Sequence, residues 1–584
     1  MIKLNPFRVR TIVVLFTLIL PYILFGQVSI ETIPLDKQLV ARNMATNLGE
    51  VVIGGLIDKT GGNPNYDAIE IDVFKNDDVN PSGSVVQTLD YNRGKTASFN
   101  IKIYINAELT NYSFKVYGKI GNVRTVIPLP SGTGNNIVAG DVYIIQGQSN
   151  AVAFMQNPPD ESAHSNQNNF IRAFGSTIRS DGLLDQLMWE EGQGDGNGDN
   201  GGDWILGFVG QWGLKLAKLI VDEYSIPVAI FNGGEGSMPI SIFLKDAPED
   251  QPLTKNNYNR LFIRLNETGL KDHVRALFWS QGEADGMHST DEYYNAFLGL
   301  KSDWQKDYPN IEEFYLFQSK SACGISSLME IKEAQRRLAA NDIKIQIVQT
   351  AAFVSSPPNG EIDCHFGFTG GYEEFANRVY ELVKRDFYSG TNEPDIETPM
   401  ITKAYLIDEN TLIVETDASG LIMNNPVENF HLESTGSSLI TDIQVSGSNI
   451  VFKLSNNPGP NASVSHLGFS KSLVNNDNFI TNTNNIELVS FNKFPIEVSA
   501  LAVDDFENEN SFTITNKPNG LEIQSSKIIE ELEIYDLLGR ILYLVEPNKQ
   551  NFEFNLERVK NGTIVIVRTT LENGSVLSKK VIKY

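Results

Sequence analysis

The chain has 584 residues, which is too long for one ordinary domain and predicts about three to five domains. Its hydrophobic fraction of 41% and aromatic fraction of 10% are sufficient to build buried cores, which excludes an intrinsically disordered chain. The formal net charge of -25 repels phosphate backbones and anionic lipids, so the composition argues against nucleic-acid and membrane-surface partners.

The N-terminus has the pattern of an export signal. Basic residues precede the apolar run Ile12–Phe25, and the small residue Gly26 stands before a cleavage point at Gln27. A membrane anchor is the alternative, but the run is shorter than the roughly 20 apolar residues that a spanning helix needs. We therefore predict a signal peptide over residues 1–26, no membrane span after its cleavage, and a secreted or cell-surface protein.

Residues 27–139 are predicted to form a β-sandwich domain. Short segments such as Ala68–Phe74 and Phe99–Ile105 alternate apolar with polar residues, and turn sequences such as Gly61–Asn65 separate them. No cluster of chemically reactive side chains occurs in this part of the chain.

Residues 140–386 change in character, because apolar strand-like runs now alternate with longer amphipathic stretches. The predicted strands are Val142–Gln146, Val228–Phe231, Ala276–Trp279, Phe314–Phe317 and Ile343–Val348. The predicted helices are one that carries Trp212, Leu216, Leu219 and Ile220 on one face, and two more at Ser327–Ala340 and Tyr372–Val383. This alternation predicts an α/β fold, a parallel sheet with helices on both faces. A reactive site is expected at the carboxyl ends of its strands.

The remainder of the chain returns to β structure. Residues 393–495 are predicted to form a second β-sandwich domain, with strands at Thr411–Glu415 and Ile450–Leu454. Residues 500–584 form a last segment of alternating strands, among them Leu532–Tyr535 and Thr563–Val567.

Ser149 is the first candidate for chemistry. It stands in Gln146-Gly147-Gln148-Ser149-Asn150, directly after the first strand of the α/β segment. A Ser at a tight strand exit can present its hydroxyl as a nucleophile and its backbone N–H to a developing oxyanion. Taken alone, the same pattern is more typical of an N-cap Ser.

Two further strand ends carry polar or glycine-rich sequences. Asn232–Ser237 follows the second strand, and its glycines allow close backbone approach to a ligand, although a plain turn has the same composition. Gln281-Gly282-Glu283 follows the third strand, where the Gln281 amide can donate to an oxyanion and Glu283 can orient its neighbours. Acidic residues there also admit glycosidase acid/base chemistry or a solvated loop.

The last candidate is Asp363-Cys364-His365, which precedes a helical stretch. In a sharply bent loop, Asp363 can reach Nδ1 of His365 and leave Nε2 to accept a proton from a serine hydroxyl. A lone surface histidine is the alternative for this position.

Together these motifs resemble the carbohydrate-esterase branch of the SGNH hydrolases, in particular sialate O-acetylesterase-like and acetylxylan esterase-like proteins. The resemblance rests on Gly147–Asn150 as the first block, Gln281–Glu283 as the third and Asp363–His365 as the last, with a looser second block near Asn232–Ser237. It covers residues 140–386 and implies an SGNH-hydrolase-like α/β domain flanked by β-sandwich domains.

The resemblance implies a role for each candidate. Ser149 is the nucleophile, His365 the general base and Asp363 its orienting acid, unless Glu283 takes part of that task. The implied oxyanion donors are the Ser149 backbone N–H, a backbone N–H near Gly234 or Gly236, and the Gln281 side chain, with Glu283 and Asn150 in support. No metal and no cofactor are implied.

Two departures from the family pattern bear on the substrate. Ser280 stands where the family commonly has His before the Gln-Gly-Glu block, and Phe366 stands where a Pro often follows the catalytic His. Neither change removes a catalytic atom. The implied function is removal of O-acetyl groups from an acetylated carbohydrate. A lipid or aryl esterase, or an inactive carbohydrate-binding or adhesive surface protein, remains as an alternative.

Three accessory features of the sequence also bear on structure or localisation. The two cysteines, Cys323 and Cys364, admit either a disulfide or two thiols. The loop Asp195–Asp199 spaces oxygen atoms like the start of a calcium loop, but Leu206 stands where the closing Glu belongs, so a flexible loop is favoured. The segments Ile534–Arg540 and Lys579–Tyr584 resemble a type IX secretion sorting domain, which implies the secretion machinery as a partner of residues 500–584.

Overall fold

The structure is a computed structural model that describes residues 28–583 with internal gaps. The gaps are residues 61–63, 156–161, 177–185, 196–205, 250–254, 321–327, 355–364, 390–392, 425–428, 468–477, 498–511, 518–519, 537–539, 557–558 and 561–562. The predicted signal peptide therefore lies outside the described residues. Among the helices that are described, none is both long and apolar enough to cross a membrane. The chain divides into two compact units, Met1–Glu497 and Val498–Tyr584.

The larger unit begins with two packed antiparallel sheets. Its strands are β1 (Val28–Thr32), β2 (Leu39–Asn43), β3 (Leu48–Asp58), β4 (Ala68–Lys75), β5 (Gly83–Thr88), β6 (Thr96–Asn106), β7 (Tyr112–Ile120) and β8 (Val123–Ile127). In one sheet β3 pairs with β1, β2 and β6, and the other sheet has the order β5-β4-β7-β8. Side chains of β6 alternate between buried and exposed along the whole strand, and Phe99 and Ile101 share a core with Ile69 and Ile71 of β4.

The α/β part follows directly. Its elements are β9 (Val138–Gly147), α1 (Ser149–Val152), β10 (Ile171–Gly175), β11 (Met188–Glu191), α2 (Gln211–Tyr224), β12 (Val228–Gly234), α3 (Asn257–Glu267), β13 (Val274–Ser280), α4 (Thr290–Asp307), β14 (Glu313–Phe317), α5 (Met329–Asn341), β15 (Ile345–Val348) and α6 (Glu373–Lys384). The strand order is β11-β10-β12-β9-β13-β14-β15, so β9 lies in the middle of the sheet.

Helices cover both faces of this sheet, and the alternation along β9 shows it. Val142 and Ile144 point into one core, which also contains residues of α3, α4 and α5. Tyr143 and Ile145 point into the opposite core, with residues of α2 and α6. All of β9 is buried, as expected for a strand that helices cover on both sides. The predicted α/β fold is confirmed at this level.

The sheet is mixed rather than purely parallel, which corrects the sequence-based expectation. β11 pairs with β10 in the antiparallel direction, and β2 of the first sandwich adds to the sheet by pairing with β9 from Leu39↔Val138 to Ala41↔Gly140. The first β segment is thus hydrogen-bonded to the α/β sheet, and β9 runs across the boundary expected between residues 139 and 140. Arg42 reinforces this junction through contacts of 2.8 and 2.9 Å with the Asp141 carboxylate.

The last part of the larger unit is again β structure. Its strands are β16 (Ile401–Asp408), β17 (Thr411–Thr416), β18 (Leu421–Met423), β19 (Phe430–Glu433), β20 (Ile440–Ser446), β21 (Asn449–Leu454), β22 (Ser463–His466), β23 (Ile480–Asn482) and β24 (Phe491–Pro495). They form the sheets β16-β17-β21-β20, β19-β22-β24 and β18-β23. Phe452 and Phe491 belong to the same core as Leu316 of β14, and the Gln318 amide donates to Ser490 O at 2.9 Å. This β region therefore packs directly on the α/β part.

The smaller unit is one antiparallel sheet. Its strands are β25 (Phe512–Lys517), β26 (Gly520–Tyr535), β27 (Ile541–Val545), β28 (Lys549–Asn555), β29 (Ile564–Leu571) and β30 (Val576–Ile582). The long strand β26 pairs with β25, β27, β28 and β29, and β30 closes the sheet on β29. Alternate residues of β26 and β29, among them Leu521, Ile534 and Val567, form its core.

A buried histidine makes the larger unit sensitive to acid. His466 of β22 is 1% exposed, stacks on Phe430 with ring centroids 4.5 Å apart, and has Nδ1 2.9 Å from Val489 O. Burial lowers the pKa of His466 from 6.5 to about 3, because the charged ring would lose its hydration. The ring is therefore neutral in the folded protein at every pH above that value.

Replacing His466 with Phe should reduce the loss of stability in acid. Between pH 6.5 and about 3 the unfolded chain binds a proton at this residue and the folded chain does not, so stability falls as the pH falls through this window. At pH 4.5 the effect amounts to about 2–3 kcal/mol. Urea unfolding at pH 7.5 and 4.5 measures it, with His431→Phe on neighbouring β19 as a control. Equal acid sensitivity of wild type and His466→Phe would contradict this account.

Candidate active site

Three strand ends meet at one level of the sheet. In the strand register, Gly147 at the end of β9 stands opposite Gly234 at the end of β12 and opposite Ser280 at the end of β13. Beyond the strand ends, Gln148 N donates to Ser280 O and Glu235 N donates to Gly147 O, both at 2.9 Å. The sequence blocks that follow these strands are therefore neighbours at the carboxyl edge of the sheet, where reactive sites of α/β proteins lie.

Ser149 occupies the tight turn between β9 and α1. Gly147 has φ +131, and a Cβ built there would lie 2.1 Å from Ser280 O, so only glycine fits. Gln148 returns to extended backbone as the residue before α1, and Ser149 opens the short helix. The Ser149 residue is 7% exposed, so it is nearly enclosed. The turn holds the hydroxyl in a fixed place with little room around it.

Gly147→Ala should damage both stability and activity. The new methyl group meets the Ser280 carbonyl and the backbone leaves the glycine-only region, a combination that costs about 1–3 kcal/mol or displaces Ser149. We expect a lower Tm and at least a tenfold lower kcat. Gly269→Ala is the matched control, because Gly269 has φ +70 but open space around its Cβ. A Gly147→Ala protein with wild-type kcat would contradict the assigned role of the turn.

The residues on either side of Ser149 bind the turn that follows β13. Gln148 Oε1 accepts the N–H groups of Gly282 at 3.3 Å and Ala284 at 3.1 Å. Asn150 Nδ2 donates to Glu283 Oε1 at 3.3 Å. The first and third sequence blocks thus interlock, with Ser149 bracketed between two side chains that hold the same turn.

The predicted oxyanion donors differ in their availability. Gln281 is fully buried, and its amide nitrogen donates to Met238 O and Gln148 Oε1, both at 3.2 Å, and to Asp285 Oδ2. The Gly234 N–H donates to Asn232 Oδ1 at 2.8 Å. Buried polar groups need such partners, so both donors are already engaged.

Two backbone N–H groups that follow the ends of β9 and β12 are not used by the described part of the fold. No acceptor within the described part of the chain receives the N–H of Ser149 or of Gly236. A Cβ built on Gly236 would meet no atom within 4 Å, so this residue borders open space just beyond β12. Unengaged backbone donors of this kind are the groups from which an oxyanion hole is built.

Two of the predicted site residues, Glu283 and His365, interact with each other. Glu283 is 3% exposed and interacts electrostatically with His365, which is half-buried just before Phe366. Burial raises the pKa of Glu283, while His365 and the Asn150 amide oppose that rise. Glu283 Oε2 has no hydrogen-bond donor among the described residues. A buried carboxylate beside a histidine is the arrangement that orients an imidazole for base chemistry.

Asp363 cannot be placed in the same way, because residues 355–364 lie outside the described residues. Cys364 and Cys323 also lie outside them, so the disulfide remains an open prediction. After His365 the chain makes a kinked turn, Phe368–Tyr372, in which Gly370 has φ +70, and the Tyr372 hydroxyl donates to Asn150 Oδ1 at 3.0 Å. The chain shortly after the last sequence block is therefore tied to the first block.

No group of three or more His, Cys, Asp or Glu side chains in the described ranges is arranged to hold a metal ion. Within the loop considered for calcium, only Asp195 is described. Its carboxylate accepts from Ala163 N and Gln211 Nε2, each at 2.9 Å, and from the Ser162 hydroxyl. The remaining residues of that loop, 196–199, lie outside the described residues.

Sequence reasoning missed several residues that shape the site. Asn232 anchors three segments, because its amide donates to Ala151 O and Val209 O while its oxygen accepts from Gly234. Tyr372 and the pair Asp285–His288 were also missed. Asn232 and Asp285 could have been found from their position in the sequence, because both lie in the polar blocks at the ends of predicted strands.

Comparison with protein-family models matches residues 501–583 to a domain of unknown function, DUF8694. This match covers the smaller unit and says nothing about the candidate site. No curated protein sequence matches the chain.

Three solved structures were compared with the chain, and one of them shares its fold. A protein from Arabidopsis thaliana aligns with 42% of this chain and 99% of its own at 17% identity, with a TM-score of 0.31. A family two carbohydrate esterase from Cellvibrio japonicus aligns with 62% of this chain and 95% of its own at 9% identity, with a TM-score of 0.23. Both alignments are too loose to support an argument. A carbohydrate acetylesterase from Xanthomonas citri aligns with 79% of this chain and 98% of its own at 16% identity, with a TM-score of 0.53. This chain therefore shares the fold of a carbohydrate acetylesterase.

Proposed function

We propose that this protein is a serine esterase that removes O-acetyl groups from carbohydrates through an acetyl-enzyme intermediate, as an SGNH-type carbohydrate esterase. The observation that carries the proposal is the position of Ser149 at the tight end of the central strand, bracketed by Gln148 and Asn150, which hold the turn of Glu283. A nucleophile, a histidine, a buried carboxylate and unengaged backbone donors at one sheet edge are the parts that acyl transfer requires.

In the proposed mechanism, the Ser149 hydroxyl attacks the acetyl carbonyl while His365 accepts its proton. The ester oxygen of the sugar leaves and takes that proton from His365. Water then attacks the acetyl-enzyme with His365 again as the base, and acetate leaves. The steps need the Ser149 nucleophile, proton transfer by His365 and one water molecule.

The oxyanion is proposed to bind the N–H groups of Ser149 and Gly236. Neither N–H group has an acceptor among the described residues, whereas the Gly234 N–H donates to Asn232. Gln281 contributes directly only if its amide exchanges one of its three protein acceptors for the substrate. Otherwise Gln281 acts as a positioning residue that fixes Gln148 next to the nucleophile. Loss of one oxyanion donor typically costs about 3–4 kcal/mol of transition-state stabilisation.

Two carboxylates are proposed to serve His365. The sequence motif assigns Asp363, two residues before the histidine, as the orienting acid. Glu283 is the second, because it is buried and interacts with the His365 charge. Lys332, whose pKa burial lowers to about 8, also interacts with Glu283 and favours its ionised form. We expect Asp363→Ala to reduce turnover less than His365→Ala, since Glu283 remains.

A carbohydrate substrate is favoured over a lipid because polar segments follow the strand ends. Asn232–Ser237 and Gln281–Asp285 border the site with amide, carboxylate and backbone groups rather than with an apolar channel. The acetylesterase with the shared fold supports the same substrate class by analogy of fold only.

Acetate release by the mature protein tests the proposal. Acetylated xylan and O-acetylated sialic acid are assayed side by side with a long-chain acyl ester, and Ser149→Ala serves as control. Release from either sugar that is lost in the control supports the carbohydrate esterase and identifies the sugar. Hydrolysis of the long-chain ester alone would favour a lipid esterase, and no release from any substrate would contradict the proposal.

Export is proposed for the chain as a whole. It rests on the signal-like segment 1–26 and on the resemblance of residues 500–584 to a sorting domain. Expression with and without residues 500–584, followed by fractionation, tests it. The full chain should reach the cell surface or the medium and the shortened chain should be retained within the envelope. Cytoplasmic accumulation of both would contradict export.

A further inference from the structure

A second carboxylate–histidine pair lies beside the candidate site. Asp285 ends the short turn Glu283–Asp285 after β13, and its side chain has no exposed surface. His288 Nδ1 lies 2.9 Å from Asp285 Oδ1, and the His288 side chain is 44% exposed. The other carboxylate oxygen, Oδ2, accepts Ile240 N at 2.8 Å and the Gln281 amide. The carboxylate thus joins the buried network of the site to an imidazole at its surface.

A short chain of hydrogen bonds connects the Asp285–His288 pair to the residue before Ser149. The Gln281 amide that donates to Asp285 also donates to Gln148 Oε1 at 3.2 Å, and Gln148 is the residue before Ser149. Asp285 is therefore two hydrogen bonds from the neighbour of the nucleophile. His288 is the exposed end of this otherwise buried network.

The backbone on both sides of His288 is fixed. His288 N donates to Asp285 O at 2.8 Å, and the next residue, Ser289, caps α4 in a capping box with Glu292. A fixed backbone removes one source of entropy loss when the side chain binds a ligand. The backbone that carries the ring is therefore in place before any substrate arrives.

The start of a helix does not by itself favour a histidine at this position. A helix N-terminus carries partial positive charge and is stabilised by acidic side chains, whereas histidine is favourable at the opposite end. Asp285 Oδ1 is buried, and no hydrogen-bond donor is aligned on it within the described residues. A small rotation of the His288 ring would complete that bond, as a buried acceptor requires.

From this geometry we propose that His288 is a substrate-binding residue that accepts a hydrogen bond from a hydroxyl group of the acetylated sugar. This inference rests on the proposed function of the site. Nδ1 faces Asp285, so Nε2 is the ring nitrogen left to bind a hydroxyl group, which it does as an acceptor when Nδ1 carries the ring proton. Met287, which is 98% exposed, adds an apolar surface beside it for the carbon–hydrogen face of a sugar ring. His288 thus contributes to the choice of leaving group and not to acyl chemistry.

Kinetics on two kinds of substrate test this role. The kcat/KM of His288→Ala is measured on the acetylated sugar that the wild type hydrolyses and on 4-nitrophenyl acetate, which has no sugar. The ratio of the first value to the second should fall roughly fivefold or more, through a rise in KM, because one hydrogen bond to the sugar is lost. His288→Gln, which keeps an acceptor, should restore part of the ratio.

The control is His273→Ala, since His273 is exposed just before β13, at the opposite end of the same strand. This variant should keep the wild-type ratio. An equal fall of kcat on both substrates in His288→Ala would make His288 part of the acyl chemistry and overturn the proposal. An unchanged ratio would overturn it as well.

Binding separates this proposal from the esterase assignment. Acetylated xylo-oligosaccharide and O-acetylated sialic acid are titrated into the Ser149→Ala protein and into Ser149→Ala combined with His288→Ala. Weaker binding of either sugar by the double variant supports His288 even if the wild type hydrolyses neither sugar. Equal binding by both proteins, or no binding by the Ser149→Ala protein, would overturn the role of His288, whatever the hydrolysis assays give.

Discussion

Ser149→Ala should lower kcat for acetyl-ester hydrolysis by about 10⁴-fold or more, with little change in Tm. The change removes the atom that forms the acetyl-enzyme, so no later step can occur at the normal rate. The residue opens a short helix, and its replacement by alanine leaves the backbone turn at Gly147 intact. Residual hydrolysis reflects binding and the backbone oxyanion donors alone.

Initial-rate kinetics on an acetyl ester, with thermal unfolding of the same samples, measure this effect. Ser302→Ala is the matched control, because Ser302 is an exposed residue of α4 outside the sequence motifs of the site. The control should keep wild-type kcat. A Ser149→Ala protein that retains more than about a tenth of wild-type kcat would show that another nucleophile acts.

His365→Ala should lower kcat by about 10³- to 10⁴-fold, since the hydroxyl of Ser149 then has no base and the sugar has no proton donor. Glu283→Gln should lower kcat less than His365→Ala does. It keeps the shape of the side chain and the contact with Asn150, but it removes the charge that interacts with the imidazole.

Combining the variants shows which carboxylate serves the histidine. If Glu283 and Asp363 both orient His365, each single amide variant loses part of kcat and the double variant approaches the His365→Ala level. Near-wild-type activity of Glu283→Gln together with a full loss in Asp363→Asn would assign the role to Asp363 alone. Wild-type activity of His365→Ala would contradict the base assignment altogether.

Much of the fold could be predicted because buried strands leave a clear pattern. The apolar runs Val142–Gln146 and Val228–Phe231 lie inside β9 and β12, and the predicted helix Ser327–Ala340 overlaps α5. The difference at Ile343, where the observed strand begins only at Ile345, is the usual uncertainty at the end of an element.

The sequence could not predict which strands pair with each other in the sheet, and the reason is physical. Pairing of β2 with β9 joins residues about 100 positions apart, and no local pattern encodes which edge a strand will find. The antiparallel strand β11 is short, and only Trp189 of its four residues is buried, so it gives no alternating pattern. These two features turn the predicted parallel sheet into a mixed one.

The candidate site was predictable in position but not in its hydrogen bonding. Blocks after strand ends had to converge, because the carboxyl ends of parallel strands share one edge. The acceptors of the Gln281 amide are Gln148 Oε1, the Met238 backbone carbonyl and Asp285 Oδ2. These three atoms come from three different loops, and their meeting point depends on the tertiary fold. For the same reason the contact between Asp285 and His288 could not be anticipated from their spacing alone.

The most direct test of the account is covalent labelling of the nucleophile. A phosphonate ester that mimics the tetrahedral intermediate is incubated with the protein, and the labelled peptide is located by mass spectrometry. The account predicts one label, on Ser149, that is absent in Ser149→Ala and strongly slowed in His365→Ala. A label on another residue, or none under conditions in which the wild type hydrolyses an acetyl ester, would contradict it.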